Sequence, residues 1–272
     1  MTVLAGLSYA RAFCGNESNI SGGLLLVQFS PAISAIITKL LCDRTIRGLG
    51  WGWGKTKYQR TSYLLPFILT SIGFGLIWLL GFGGFYNTDF IQEAQNDLSD
   101  KLGLDIASPY IMMLVLILVN ATIGLFAGFA SLGEEIGWRG FFVPELYKHF
   151  SYTKTSFISG AIWVTYHIPV LVLLIAPRLE ASIWPILLFT MIGGIGISFI
   201  LAWLCIKSGS LWTAVIFHAT LNIHLQNFFM NLTTETSELT CYISGEQGLM
   251  MAIVMALAGY LFWRKRSSLK LE

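Results

Sequence analysis

Apolar positions in this chain come in long blocks rather than in alternation. Blocks of roughly twenty residues with few or no charges are separated by short polar stretches, the pattern that a hydrocarbon core about 30 Å thick demands of helices. The pattern predicts membrane-spanning helices at about 24–42, 62–83, 109–132, 156–176, 183–206, 211–230 and 247–263. The segment 134–150 reads as a helical connection or as a continuation of the third span. Strand-like alternation is nowhere sustained, and runs this apolar suit helices, whose backbone polar groups are satisfied internally. The predicted fold is all-α: a polytopic transmembrane bundle of about seven to eight helices, forming one integral membrane domain over residues 1–272.

Composition strengthens that picture. Of 272 residues, 55% are hydrophobic and 12% charged, and the mean hydropathy is +0.67. A soluble domain carries about a quarter charged residues, and no polar stretch here is long enough to build one. Residues 1–23 lack a basic leader and a clean apolar core, so no secretory signal peptide is expected. Basic patches with interleaved aromatics are missing, which argues against a nucleic-acid partner.

The net charge of +2 says little, but its distribution gives an orientation. The loop after the first span holds Arg44, Arg47, Lys55, Lys57 and Arg60 against Asp43, and its Trp51-Gly-Trp53-Gly run suits an interfacial anchor. The next loop is acidic, with Asp89, Glu93, Asp97, Asp100 and Asp105 against Lys101. Arg139, Lys148 and Lys154 follow the third span. Glu235, Glu238 and Glu246 occupy the loop 231–246, and the tail carries Arg264, Lys265, Arg266 and Lys270. Seven spans make these signs alternate with the amino terminus outside and the tail cytoplasmic. Cys14 and Cys241 then share the outer side, where a disulfide is conceivable in an oxidising compartment. The simpler expectation is four unpaired thiols, Cys42 and Cys205 included, acting as small apolar residues. Their wide spacing supports neither a zinc ribbon nor a redox motif. Gly193, Gly194 and Gly196 are expected to let helices approach closely.

Chemistry concentrates in Gly133-Glu134-Glu135-Ile136-Gly137-Trp138-Arg139-Gly140, directly after the charge-free run 111–130. Ionisable groups at membrane depth usually face a bundle interior, pair with one another and mark function. In a helix, Glu135 and Arg139 lie on one face and can form an ion pair. Glu134 is turned by about 100° and points elsewhere. One carboxylate is thus neutralised locally, and the other is left for chemistry. The plain alternative is an interfacial helix end with solvated charges.

Two further spans carry isolated imidazoles. His167 sits in Trp163-Val-Thr-Tyr-His167, and His218 is followed one turn later by Asn222. Each alone is compatible with a hydrogen-bonded core residue or an interhelical polar clamp. Depth connects them: at about 1.5 Å per residue, His218 lies roughly 10 Å and His167 roughly 17 Å from the cytoplasmic ends of their spans. Glu134 lies near the same end of its own. A carboxylate in a dry site can act as general base toward water, and a neighbouring histidine can orient that water or move its proton. A second histidine with an asparagine suits the oxyanion of a tetrahedral intermediate. The set fits peptide-bond hydrolysis.

In order and placement, Glu134-Glu135-x-x-x-Arg139, x-x-x-His167 and His218-x-x-x-Asn222 resemble the three motifs of the CPBP family. These are the CAAX-processing and bacteriocin-processing (Abi, type II CAAX protease) intramembrane endopeptidases, and the likeness covers about residues 109–230. The resemblance implies that Glu134 activates water with His167, that His218 and Asn222 stabilise the oxyanion, and that Glu135 and Arg139 hold the site together. It implies a glutamate-dependent enzyme without a cofactor; the alternative is zinc on Glu134, His167 and His218. The absence of a His-Glu-x-x-His pair favours the first. One departure is Trp163, where the family commonly has phenylalanine; an aromatic is kept. The implied partners are a lipid-adjacent peptide or protein substrate and the membrane lipids. A non-proteolytic immunity or scaffold protein could keep the motifs as a polar core. A proton-coupled transporter would show paired broken helices and repeat symmetry, and neither is visible.

Overall fold

A computed structural model describes residues 17–127, 130–175 and 182–269. Helices account for nearly all of it. The order is α1 (Glu17–Asp43), α2 (Thr56–Leu79), α3 (Thr88–Leu102), α4 (Pro109–Ala127), α5 (Ser131–Glu135), α6 (Val143–His149), α7 (Tyr152–Val170), α8 (Ile183–Ser208), α9 (Trp212–His224), α10 (Thr240–Ile243) and α11 (Leu249–Arg264). Wide π turns at Ile136–Phe142, Leu171–Ile175 and Leu225–Phe229 extend α5, α7 and α9.

Burial is arranged for a lipid surround. On α2 the residues Leu64, Ile68, Ile72 and Leu76, each one turn apart, all point outward, and so do Ile253, Leu257 and Leu261 on α11. Such stripes, on one helix face by their four-residue spacing, would be a large apolar patch in water. Hydroxyls within the apolar helices donate to the carbonyl one turn back: Thr70 to Pro66, Thr122 to Leu118, Thr165 to Ala161 and Thr190 to Ile186. That removes the penalty of an unpaired donor in hydrocarbon. The protein is a helical membrane bundle.

By length and composition, Thr56–Leu79, Tyr152–Leu173 and Ile183–Ser208 can each cross a bilayer, and Pro109–Thr122 is a shorter apolar helix. Of the other segments expected to span, 24–42 lies within the 27-residue helix α1, and the rest are helical but shorter or interrupted. The stretch 211–230 is α9 plus its π turn, and α11 has 16 residues. The segment 134–150, expected as a helical connection or a continuation of the third span, is helical from Ser131 to His149 with the π turn in its middle; its junction with α4 lies outside the described residues.

Two details of the connecting loops follow from local signals. The acidic loop contains α3, whose first turn is capped by Asn87 accepting from the amides of Asp89 and Phe90. It ends at Gly103 in the left-handed region, φ 64°. Ahead of α3, Gly84–Phe85 (β1) pairs antiparallel with Thr233–Thr234 (β2), Gly84 opposite Thr234. Cys42, Cys205 and Cys241 are free thiols, and Cys14 lies outside the described residues. Partial burial, with Glu235 and Glu238 nearby, raises the Cys241 thiol above its ordinary range.

The core that fixes these helices centres on Phe74 and Ile77 of α2, Ile200, Leu201 and Leu204 of α8, and Ala214 and Phe217 of α9, all fully buried. The expected packing role of the α8 glycines holds: the space a Cβ would need at Gly196 is filled by Met255 and Ala256 backbone, and Gly259 packs against Gly196 in return. α7 joins α8 through a 2.8 Å hydrogen bond between Ser159 and Ser198. The basic loop after α1 is seated on the start of α9, where Leu211 donates to the carbonyl of Gly50 and the Trp212 indole to that of Trp51.

Candidate active site

α5, α7 and α9 each bring one part of the polar motifs to a common centre. α1 closes over α5 from outside the core. A side chain at Gly137 would collide with the backbone of Pro31, so glycine is required for that approach. On the far side of the site, the Ser30 hydroxyl and the Tyr166 hydroxyl are 3.0 Å apart, which links α1 to α7.

The ion pair expected from spacing is present. One Arg139 nitrogen donates to both oxygens of Glu135, at 2.9 and 3.2 Å, and both side chains are out of contact with solvent. Glu135 accepts a third hydrogen bond, from His218 Nδ1 at 2.9 Å. Because a carboxylate can only accept, Nδ1 carries the proton, and Nε2 is the nitrogen that remains on the other edge of the ring. This pairing has no counterpart in the sequence reading, which joined His218 to Asn222. Asn222 follows one turn later on α9 and is half-buried; among the described residues no hydrogen bond joins it to His218 or to either glutamate.

Glu134 has different neighbours. It is 7% exposed. Its Oε2 accepts from the indole Nε1 of Trp163 at 2.9 Å and lies 3.6 Å from His167 Nε2. The second imidazole is oriented from behind, since His167 Nδ1 donates to the Trp163 carbonyl at 2.8 Å. That contact fixes the proton on Nδ1 and turns Nε2 toward the carboxylate. A water within about 2.8 Å of both Glu134 Oε2 and His167 Nε2 is geometrically allowed, because atoms 3.6 Å apart can share one hydrogen-bonded neighbour.

Five of the six residues singled out from the motifs, Glu134, Glu135, Arg139, His167 and His218, therefore fall into one neighbourhood, and Asn222 follows one turn beyond His218 on α9. Trp163 is not among them, yet it touches most of them. Besides Glu134, its ring stacks edge-to-face with His167 and His218, at centroid distances of 5.4 and 5.7 Å, and the Arg139 guanidinium lies 4.6 Å over it. The signal in the sequence was the indole itself, the one aromatic side chain besides tyrosine with a polar atom to place. Tyr166 also lines the site, edge-on to His167 and to Trp138. His224, further along α9, is buried edge-on against Phe67 and lies apart from these groups.

As arranged, no three His, Cys, Asp or Glu side chains among the described residues are gathered closely enough to hold a metal ion. For zinc on Glu134, His167 and His218, the available atoms would be the two Nε2 nitrogens and a Glu134 oxygen, with both Nδ1 atoms already bound to backbone or carboxylate.

A buried glutamate–imidazole pair thus sits beside a buried Glu–Arg–His cluster in a helical membrane protein. Residues 107–224 match the family model described as type II CAAX prenyl endopeptidase Rce1-like. A "CAAX prenyl protease 2" of Methanococcus maripaludis is 26% identical over 162 residues, covering 58% of this chain and 53% of that protein. Over that region the chain is similar to this family, the CPBP family that its motifs resemble, and it spans about half the length of the curated relative it matches.

Proposed function

We propose that this chain is an intramembrane endopeptidase that hydrolyses a peptide bond by a glutamate-activated water. One observation carries the reading: Glu134 is nearly buried, bound on Oε2 by a neutral donor, and faced by an imidazole whose other nitrogen is fixed. Glu134 takes a proton from the water as its oxygen bonds to the scissile carbonyl carbon. The carbonyl oxygen becomes an oxyanion, received by His218 and Asn222. To donate from Nε2 while Nδ1–H is held by Glu135, His218 must be an imidazolium, and the Glu135 carboxylate stabilises that cation. Collapse breaks the C–N bond, and the proton held by Glu134 passes to the leaving amine, with His167 as neighbour in the transfer. A single oxyanion donor is typically worth about 3–4 kcal/mol.

The substrate is a peptide or protein close to the lipid. Loop charges place the site on the cytoplasmic side of a multi-pass cell-membrane protein, with the carboxyl terminus inside and the amino terminus outside. A prenylated carboxyl-terminal peptide, the substrate class in the relative's name, is the first to test. Purified protein in proteoliposomes should cleave such a peptide or a membrane peptide that accumulates in cells carrying Glu134→Ala. Both Glu134→Ala and His167→Ala should abolish cleavage while inserting normally. Cleavage that survives either change would overturn the mechanism, and biological function retained by Glu134→Gln would favour the scaffold role. Zinc-free protein should keep full activity; activity lost on metal removal and restored only by zinc would replace the glutamate mechanism with a metal one.

A further inference from the structure

We propose that Trp163 is a positioning residue of this site, its indole N–H holding Oε2 of Glu134 so that the carboxylate is aimed at the water it shares with His167 Nε2. The inference rests on the endopeptidase reading and adds a group that the motifs do not contain.

Two different atoms of Trp163 reach the two members of the proposed base. The side-chain Nε1–H donates to Glu134 at 2.9 Å, and the backbone carbonyl accepts from His167 Nδ1 at 2.8 Å. The second contact follows from helix geometry, because positions 163 and 167 are one turn apart, and any residue at 163 would supply that carbonyl. The first needs an indole. Phenylalanine keeps a flat wall between α5 and α9 but has no proton to give.

The ring is held firmly enough to act as a fixed donor. Trp163 is 8% exposed, its face lies under the Arg139 guanidinium at 4.6 Å, and both imidazoles meet it edge-to-face. The same placement separates charges. The guanidinium lies over the face of the indole and donates to Glu135, while Glu134 receives a neutral hydrogen bond from the indole edge. A cation bonded directly to Glu134 would hold its electron pair more tightly and make it a poorer base. A neutral donor orients the carboxylate at a smaller electrostatic cost.

The decisive variant places 3-benzothienylalanine at position 163, where sulfur replaces N–H in a ring of the same shape. Its unfolding midpoint in detergent should match wild type. Its kcat should fall roughly tenfold to a hundredfold with KM little changed, the range spanned by a hydrogen bond to a charged group. Trp163→Phe should show a similar fall. Independently of turnover, the Glu134 carboxylate stretch, isolated as the infrared difference from Glu134→Gln, should shift when the N–H is removed. Wild-type kcat in the benzothienyl protein, or an unmoved carboxylate band, would overturn the proposal. Activity that survives Glu134→Ala would instead overturn the endopeptidase reading, so the two failures are distinguishable.

Discussion

Glu134 and Glu135 are adjacent in the chain and lead opposite lives. Glu135 is fully buried and accepts three hydrogen bonds, two from Arg139 and one from His218. Glu134 retains slight exposure and accepts one, from Trp163, with His167 standing just beyond hydrogen-bond range. One helical step of rotation separates a carboxylate held by Arg139 and His218 from one bonded by a neutral indole. A buried ion pair of the first kind contributes little net stability, because desolvation offsets its attraction, but losing one partner strands a charge. On the proposed mechanism a carboxylate of the second kind supplies the base, and its removal need not disturb the fold.

Substitutions can break this contrast. The largest effect should fall on turnover: Glu134→Gln, nearly isosteric, should lower kcat by about 10²–10⁴-fold, the span typical of a general base, and leave the unfolding midpoint within a few degrees of wild type. Arg139→Met should act in the opposite way, costing about 3–5 kcal/mol by leaving the buried Glu135 charge with His218 in place of its guanidinium partner, measurable by denaturation in detergent. Pairing it with Glu135→Leu should restore much of that stability without restoring cleavage, since His218 then lacks the carboxylate on Nδ1. If the double variant regained activity, Glu135 would have no role in holding His218. The smallest effect should come from Ser30→Ala, which removes one hydroxyl contact between α1 and α7 and should cost about 1 kcal/mol. A larger loss there, with KM raised, would show that α1 helps to bind substrate.

Much of this was readable before any coordinates, but unevenly. The Glu135–Arg139 pair follows from a four-residue spacing, and the gathering of Glu134, His167 and His218 followed from similar depths on different spans. The capped helix α3 inside the acidic loop went unread, although Asn87 and Gly103 were its markers. The contact between His218 and Glu135 went unread for a physical reason. Asn222 is the neighbour of His218 along one helix, whereas Glu135 comes from another, and no spacing along a chain reports which side chains meet across an interface. Trp163 was passed over as one aromatic in place of another because a sequence shows ring size and hides where the N–H points.

The apolar blocks, the sparse charge and the helical periodicity determined that this chain would form a helical bundle in lipid, with its ionisable residues turned inward, because hydrocarbon permits little else. Tertiary packing decided what each inward group would do. The close seat of Pro31 on Gly137, the α7 indole beside Glu134 and the α9 imidazole beside Glu135 are contacts between elements far apart in sequence. They depend on helix positions that only the packed core around Phe74, Leu204 and Phe217 fixes.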